Sequence, residues 1–247
     1  MTDFHCHILP GIDDGARDVE TSIELLRMEK EQGVDKIVFT PHFRCDDCSL
    51  DEFLEARDNA FNLLMSSLPS DLKSWFTFKL GAEVYFSPSL SRVDFSKLCF
   101  DGTSYMLVEL PFTSGIRPAF LDEILFDISS RGITPIIAHV ERYPYILSAP
   151  TQIYDWVIAG YLVQTNAKTV VDGDKMVKKL MSWGLVQLVS SDTHSLHRRP
   201  PMMSDAYAAL KPEIVSWFKQ NGDDIFENYE INVGEPHYPK KVLGSWK

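Results

Sequence analysis

Seven short apolar runs, with room for an amphipathic helix between most of them, constrain this 247-residue chain more than any other feature. They are Phe4–Ile8, Lys36–Thr40, Phe76–Tyr85, Tyr105–Leu110, Thr134–Val140, Leu162–Thr165 and Val186–Ser191. Their lengths and their branched and aromatic residues predict strands. Between them the apolar spacing changes to three-to-four. Phe53, Ala56, Ala60, Leu63 and Leu64 predict a helix over Leu50–Ser67, and another runs from a cap at Asp18 or Thr21 to Gly33. Further helices are predicted around Ala119–Ser130, Gln152–Ala159 and Asp174–Trp183, with helical segments and a polar tail from Ser204. Such alternation makes parallel βαβ units. An open doubly wound sheet would accommodate them, but seven units in so short a chain favour a closed α/β barrel. No linker or repeat divides the chain, so residues 1–247 are expected to form a single domain.

In such barrels the reactive groups sit at the C-terminal ends of the strands. The residues at those ends are of one chemical kind. His5 and His7 close the first run, and their i, i+2 spacing sends both imidazoles inward and Cys6 outward. Asp14 follows in the first loop, with Asp13 as its rival. His42 ends the second run, Glu83 the third, Glu109 the fourth and His139 the fifth; Asp192 and His194 end the last. A single histidine or carboxylate at a strand end usually packs, caps a helix or faces water. Five imidazoles and four carboxylates at one rim are a different matter, because desolvating them together is costly unless cations are present. The set suits divalent metals without any thiolate, and nine ligands imply two or three ions.

The charge balance suggests what such ions would bind. Acidic residues outnumber basic ones by 35 to 24, a net charge of −11, which argues against nucleic acid and anionic membranes as partners. Four carboxylates against three divalent ions leave a locally cationic site that would attract a phosphate dianion. Clustered ions can bridge phosphoryl oxygens and generate a nucleophile from water, so phosphoester hydrolysis is the leading reaction class. Other hydrolytic motifs are missing. There is no Gly-x-Ser-x-Gly, no His-Glu-x-x-His, no phosphate-binding glycine loop, and no cysteine followed six residues later by arginine. No apolar run reaches the roughly 18 residues of a membrane span, and the N-terminus lacks a signal-peptide pattern, so a cytoplasmic location is expected. The four cysteines are then expected to be thiols.

His5-Cys-His7, Thr-Pro-His42, Gly-Ala-Glu83, Glu109, Ala-His139-Val-Glu-Arg-Tyr and Ser-Asp192-Thr-His194 resemble the polymerase and histidinol phosphatase (PHP) superfamily. Within it, His-x-His-Ile-Leu-Pro-Gly-Ile-Asp-Asp-Gly and Arg-Arg-Pro-Pro are similar to the CpsB-type manganese-dependent protein-tyrosine phosphatases of bacterial capsule and exopolysaccharide operons. The resemblance runs to about Ala209. It implies a distorted (β/α)7 TIM-like barrel holding divalent ions, manganese first, with iron or zinc also suited to the ligands. One ion would be held by His5, His7, Asp192 and Glu83. A second would share Glu83 with Glu109 and His139, and a third would take Asp14, His42 and His194. Arg142 and Arg199 match the arginines that assist the phosphate. The implied substrate is phosphotyrosine on the C-terminal tail of a tyrosine autokinase, hydrolysed by attack of metal-bound hydroxide. Phenolate leaves readily, so strong acid help is less necessary.

The alternative within the same rim is a small-molecule phosphatase acting on histidinol phosphate or a nucleotide. A nuclease would need a basic track, and an amidohydrolase usually carries a carbamylated lysine where this chain has Glu83 and Glu109. A barrel that had lost catalysis would have lost ligands. Two segments depart from the resemblance. Cys45-Asp-Asp-Cys48 follows His42 where a substrate-facing loop is expected, and reads as incidental thiols, a redox pair or an adventitious metal site. The stretch from Lys211 lies outside the motifs, with Trp217 and Phe218 read as packing residues.

Overall fold

The computed structural model describes residues 1–113 and 115–247. Seven parallel strands form the barrel: β1 Thr2–Cys6, β2 Lys36–Phe39, β3 Thr77–Leu80, β4 Tyr105–Glu109, β5 Thr134–Ile137, β6 Leu162–Asn166 and β7 Leu188–Ser190. β2 and β3 are each interrupted and resume as His42–Phe43 and Glu83–Tyr85. The lower halves pair in the order β1-β2-β3, and the resumed halves carry the ladder on through β4, β5 and β6 to β7. The circle closes where Cys6 bridges Thr193. There the Asp192 amide donates to the His5 carbonyl and the His7 amide to the Thr193 carbonyl, each at 2.8 Å. The expected barrel is present, and the two interruptions are its distortion.

The interruptions have local causes. Pro41 has no amide to give the ladder. At Gly81 a Cβ would lie 2.7 Å from Phe100 Cδ1, so only glycine lets the third strand pass. The run predicted over Phe76–Tyr85 is therefore two short strands. Phe4–Ile8 also shifts: β1 starts earlier, and His7 lies just past its end. The helices follow their signals, with Asp18 capping Val19–Glu31 and a Ser49/Glu52 capping box opening Leu50–Ser67.

Strand alternation divides the side chains into two cores. Outward residues pack beneath the helices. Inward, Phe4, Val38, Leu107, Ile136, Leu162 and Leu188 make an apolar layer, and Ile225 and Phe226 close it from the helix Pro212–Phe226. The C-terminal segment is thus a plug for the barrel floor, and Phe218, 2% exposed, packs as the sequence suggests. Above that layer, Glu109 on β4 and Gln164 on β6, each two residues past a layer residue, point into the mouth. No helix among the described residues is long and apolar enough to cross a membrane.

Phe226→Ala is expected to lower the unfolding free energy by about 3 kcal/mol, as for other buried aromatics. Denaturant titration checks this, and a loss below about 1 kcal/mol would mean that the helix does not plug the barrel.

Candidate metal centre

Each rim residue reaches the mouth by its own backbone device. Leu107 and Glu109 share the inward face of β4 by simple alternation. In β1, three steps from Asp3 to Cys6 oppose two on β2, from Ile37 to Phe39. That bulge re-phases the strand, so that Phe4 points into the apolar layer while His5 and His7 point to the rim. His139 and Asp192 have left-handed backbones, with φ of 27° and 54°. Such non-glycine conformations are uncommon and persist only where the surroundings impose them.

All nine expected residues come together. Donor atoms of His7, Asp14, His42 and His194 lie within 4.8 Å of one another, as do those of His5, His139 and Asp192, of His5, His7 and Glu83, and of His42, Glu83 and Glu109. These groups share members and cut across the partition that the resemblance implies: His7 also joins Asp14, and His139 also joins His5. Glu83 is the centre, with its oxygens 2.9 Å from His139 Nε2, 2.9 Å from His42 Nδ1, 3.2 Å from His5 Nε2 and 3.3 Å from His7 Nε2.

Such separations match the edge of a coordination shell. Two ligands about 2.1 Å from an ion and at about a right angle lie roughly 3 Å apart. Among the described residues these donors also lack other partners. His5 Nε2, His7 Nε2, His42 Nδ1, His194 Nε2, Glu83 Oε2, Glu109 Oε2 and Asp192 Oδ1 are all buried without a hydrogen bond. Buried polar groups are normally satisfied, so their convergence fits cations between them.

The opposite ring nitrogens of four of the five histidines are occupied. His7 Nδ1 meets Asp13 Oδ2 at 2.7 Å, His194 Nδ1 meets the Asp192 carbonyl at 2.9 Å, His139 Nδ1 meets the Tyr143 hydroxyl at 3.1 Å, and His5 Nδ1 meets Gln164 Oε1 at 3.3 Å. The acceptors among these partners fix the proton on the facing nitrogen of His7, His194 and His5 and leave the other nitrogen a lone pair, while the Tyr143 hydroxyl orients the His139 ring. The structure therefore separates the two rivals of the first loop. Asp14, 67% exposed, points at His42 and His194, whereas Asp13 is buried behind His7. The sequence did not separate them, and it gave no sign of Gln164 beyond its inward position on β6.

Electrostatics agree with the geometry. Burial lowers the pKa of His7, but Asp13 and Glu83 outweigh it and hold the ring at about 10. Burial likewise opposes the charge on His139, yet Glu109 and Glu83 hold it at about 9. Burial and the neighbouring His7 charge push His194 down to about 3. Protons thus balance carboxylates here, a task that divalent ions would take over.

Arg142 and Arg199 flank the rim. Both approach Asp192 Oδ2, Arg142 at 3.8 Å and Arg199 closer, which leaves Oδ1 to face the cluster. The Arg199 carbonyl accepts from the His194 amide at 3.0 Å, and the Arg142 guanidinium stacks 4.3 Å from the Phe112 ring centre. A cavity of about 240 Å³ opens beside them, lined by Glu141, Arg142, Asn166, Lys168, Asp192 and Arg199. Cys45 and Cys48 are half-buried free thiols. Burial and nearby acids raise both pKa values, which disfavours the reactive thiolate that a redox pair needs.

The sequence profile of the capsular polysaccharide synthesis CpsB/CapC family matches residues 1–226. The chain belongs to this family. Among its CpsB/CapC relatives, the tyrosine-protein phosphatase YwqE of Bacillus subtilis is 29% identical over 250 residues, covering 98% of this chain and 97% of YwqE. The tyrosine-protein phosphatase CpsB of Streptococcus pneumoniae is 30% identical over 225 residues, covering 84% and 88%. A solved structure from work on YwqE and CpsB, described as unique metal-dependent tyrosine phosphatases, superposes with a TM-score of 0.84 at 26% identity and covers 97% of this chain and all of that one. An amidohydrolase II structure shares the barrel fold alone, with a TM-score of 0.53 at 16% identity.

The first loop supplies a test of how tightly the rim is built. A Cβ on Gly15 would lie 2.0 Å from the His7 carbonyl oxygen, whereas one on Gly222 meets nothing nearer than 3.5 Å. Gly15→Ala is expected to cost about 1–3 kcal/mol, at roughly 2–4 °C of melting temperature per kcal/mol. Gly222→Ala should leave the melting temperature unchanged or raise it. Equal melting temperatures for the two variants would contradict the close packing of this loop on His7.

Proposed function

We propose that this chain is a metal-dependent protein-tyrosine phosphatase acting as a single domain. Its nine rim residues His5, His7, Asp14, His42, Glu83, Glu109, His139, Asp192 and His194 would hold two or three divalent ions, manganese first. The observation that carries the reading is the set of seven buried, unpartnered donor atoms aimed at one another beside two arginines. Family membership and relatives named as tyrosine phosphatases support it.

Ions at such a centre supply Lewis acidity to phosphoryl oxygens and a nucleophile from water at neutral pH. The chain's own residues do the rest. Arg142 and Arg199 now rest on Asp192 Oδ2, and a phosphoryl group entering the cavity would offer both guanidinium groups a stronger, bidentate partner. Phe112 holds the Arg142 guanidinium by cation–π contact. Asp13 keeps the His7 ring turned, and Tyr143 does so for His139. Phenolate leaves at modest cost, so the site can work without a strong general acid.

The cavity is compatible with a protein substrate. At about 240 Å³ it lies below the roughly 300–1,000 Å³ typical of pockets that engulf small ligands, which suits a phosphate carried on a protruding side chain. The partner we propose is the phosphotyrosine-bearing tail of a tyrosine kinase in polysaccharide synthesis. The location we propose is the cytoplasm, where four unpaired thiols are chemically at home.

Turnover of a phosphotyrosine peptide and of histidinol phosphate, each with added manganese, iron or zinc, tests the assignment. The peptide is expected to be hydrolysed at least about tenfold more efficiently, a difference of roughly 1.4 kcal/mol in transition-state stabilisation. Preference for histidinol phosphate would overturn it. Arg142→Ala is expected to weaken competitive inhibition by inorganic phosphate about tenfold or more, the cost of one charged hydrogen bond, with bound metal unchanged. Unaltered inhibition would remove Arg142 from the phosphate site.

A further inference from the structure

Six of the seven strands deliver at least one rim donor, and β6 delivers none. Its C-terminal end instead places Gln164 and Asn166, two residues apart, on the inward face. Gln164 is fully buried, yet none of its side-chain hydrogen bonds among the described residues goes to the strand ladder. Gln164 Oε1 accepts from the His139 amide at 2.6 Å and lies 3.3 Å from His5 Nδ1. Its Nε2 donates to Asn166 Oδ1 at 2.9 Å, and Asn166 Nδ2 donates to Asp192 Oδ2 at 2.7 Å. The Asn166 amide is itself anchored on Glu141 Oε1 at 2.9 Å, and Glu141 also holds the Thr165 and Thr169 hydroxyls.

One end of this chain has a fixed polarity. A backbone N–H can only donate, so the His139 amide forces the atom it meets to be the Gln164 oxygen. The Gln164 nitrogen must then face Asn166, whose oxygen is turned toward it and whose nitrogen is turned toward Asp192. His5 Nδ1, facing the same glutamine oxygen, must carry the proton, which leaves its Nε2 as a lone pair toward the rim. Asp192 Oδ2 is likewise committed, and Oδ1 is left free. The two atoms so released, His5 Nε2 and Asp192 Oδ1, are both unpartnered and lie 3.3 Å apart.

We infer that Gln164 and Asn166 are positioning residues that set the ring tautomer of His5 and the free oxygen of Asp192 for cation binding, so that β6 serves the centre by polarity rather than by ligation. The inference rests on the metal centre proposed above. Gln187 provides an internal control: it is another fully buried glutamine, bonded to the Val163 amide at 3.0 Å and the Gly184 carbonyl at 2.9 Å, with no link to the rim.

The experiment compares wild type, Gln164→Met, Gln187→Met and Asn166→Asp as purified full-length chains stripped of metal. Manganese and zinc affinities are measured by competition with a chelating dye, melting temperatures by circular dichroism, and the His5 ring-nitrogen resonances in the zinc-loaded protein by NMR. Gln164→Met is expected to bind metal roughly 10–100-fold more weakly and to lose the protonated Nδ1 signal of His5. Gln187→Met should be destabilised to a similar degree yet bind as wild type does. Asn166→Asp sets a carboxylate oxygen against Asp192 Oδ2 and should weaken binding at least as much as Gln164→Met. It also decides the matter should Gln164→Met fail to fold. Metal binding in Gln164→Met or Asn166→Asp equal to that in Gln187→Met would overturn the inference while leaving the centre intact. Wild type that binds neither metal would instead overturn the centre itself.

Discussion

The desolvation of like and unlike charges at one rim governs this structure. The imidazoles of His5, His7, His139 and His194 and the carboxylates of Asp13, Glu83, Glu109 and Asp192 lie almost out of contact with water, and the more exposed His42 and Asp14 close the edge. A carboxylate in such a place is costly unless cations or donors surround it. Glu83, with four histidines about its two oxygens, is held well below the ordinary carboxylate range despite its burial. Protons on His7 and His139 supply part of the balance. The remaining lone pairs face one another without a hydrogen-bond partner.

The fold makes this concentration of charge possible by supporting it from below and behind. Below lies the apolar layer of Phe4, Val38, Leu107, Ile136, Leu162 and Leu188, plugged by Phe226, which gives the rim a rigid and dry floor. Behind lie groups that hold four of the five rings by the outer nitrogen, namely Asp13 for His7, Gln164 for His5, Tyr143 for His139 and the Asp192 carbonyl for His194. The seam between β1 and β7 is fastened by Asp3, which accepts from the Ser191 amide at 2.9 Å, so that His5 and Asp192 are fixed by the same closure. The contacts that close the barrel thus also hold two of the rim residues in place.

Much of this was legible in the sequence because period-two alternation carries a strand's last inward residue to the mouth. His42, Glu83, Glu109 and the His5/His7 pair were readable on that ground. What was hidden depends on backbone irregularity and on identity among neighbours. The bulge before His5 leaves no compositional mark, nor do the left-handed turns at His139 and Asp192, because none of them follows from local propensity. Asp13 and Asp14 are the same residue type side by side, and only the burial of one behind His7 distinguishes them. Gln164 looked like an ordinary strand residue and Asn166 lay past the predicted end of its strand, since their role lies in the direction of hydrogen bonds. The plug formed by Pro212–Phe226 was likewise invisible, because an amphipathic helix does not declare which end of a barrel it covers.

Anomalous diffraction from crystals of this chain grown with manganese tests the central claim most directly. The account predicts two or three anomalous peaks within coordination distance, about 2–2.5 Å, of His5 Nε2, His7 Nε2, His42, His139 Nε2, His194 Nε2 and the carboxylates of Asp14, Glu83, Glu109 and Asp192. A map with no peak among these atoms, or with manganese bound only elsewhere on the protein, would contradict it.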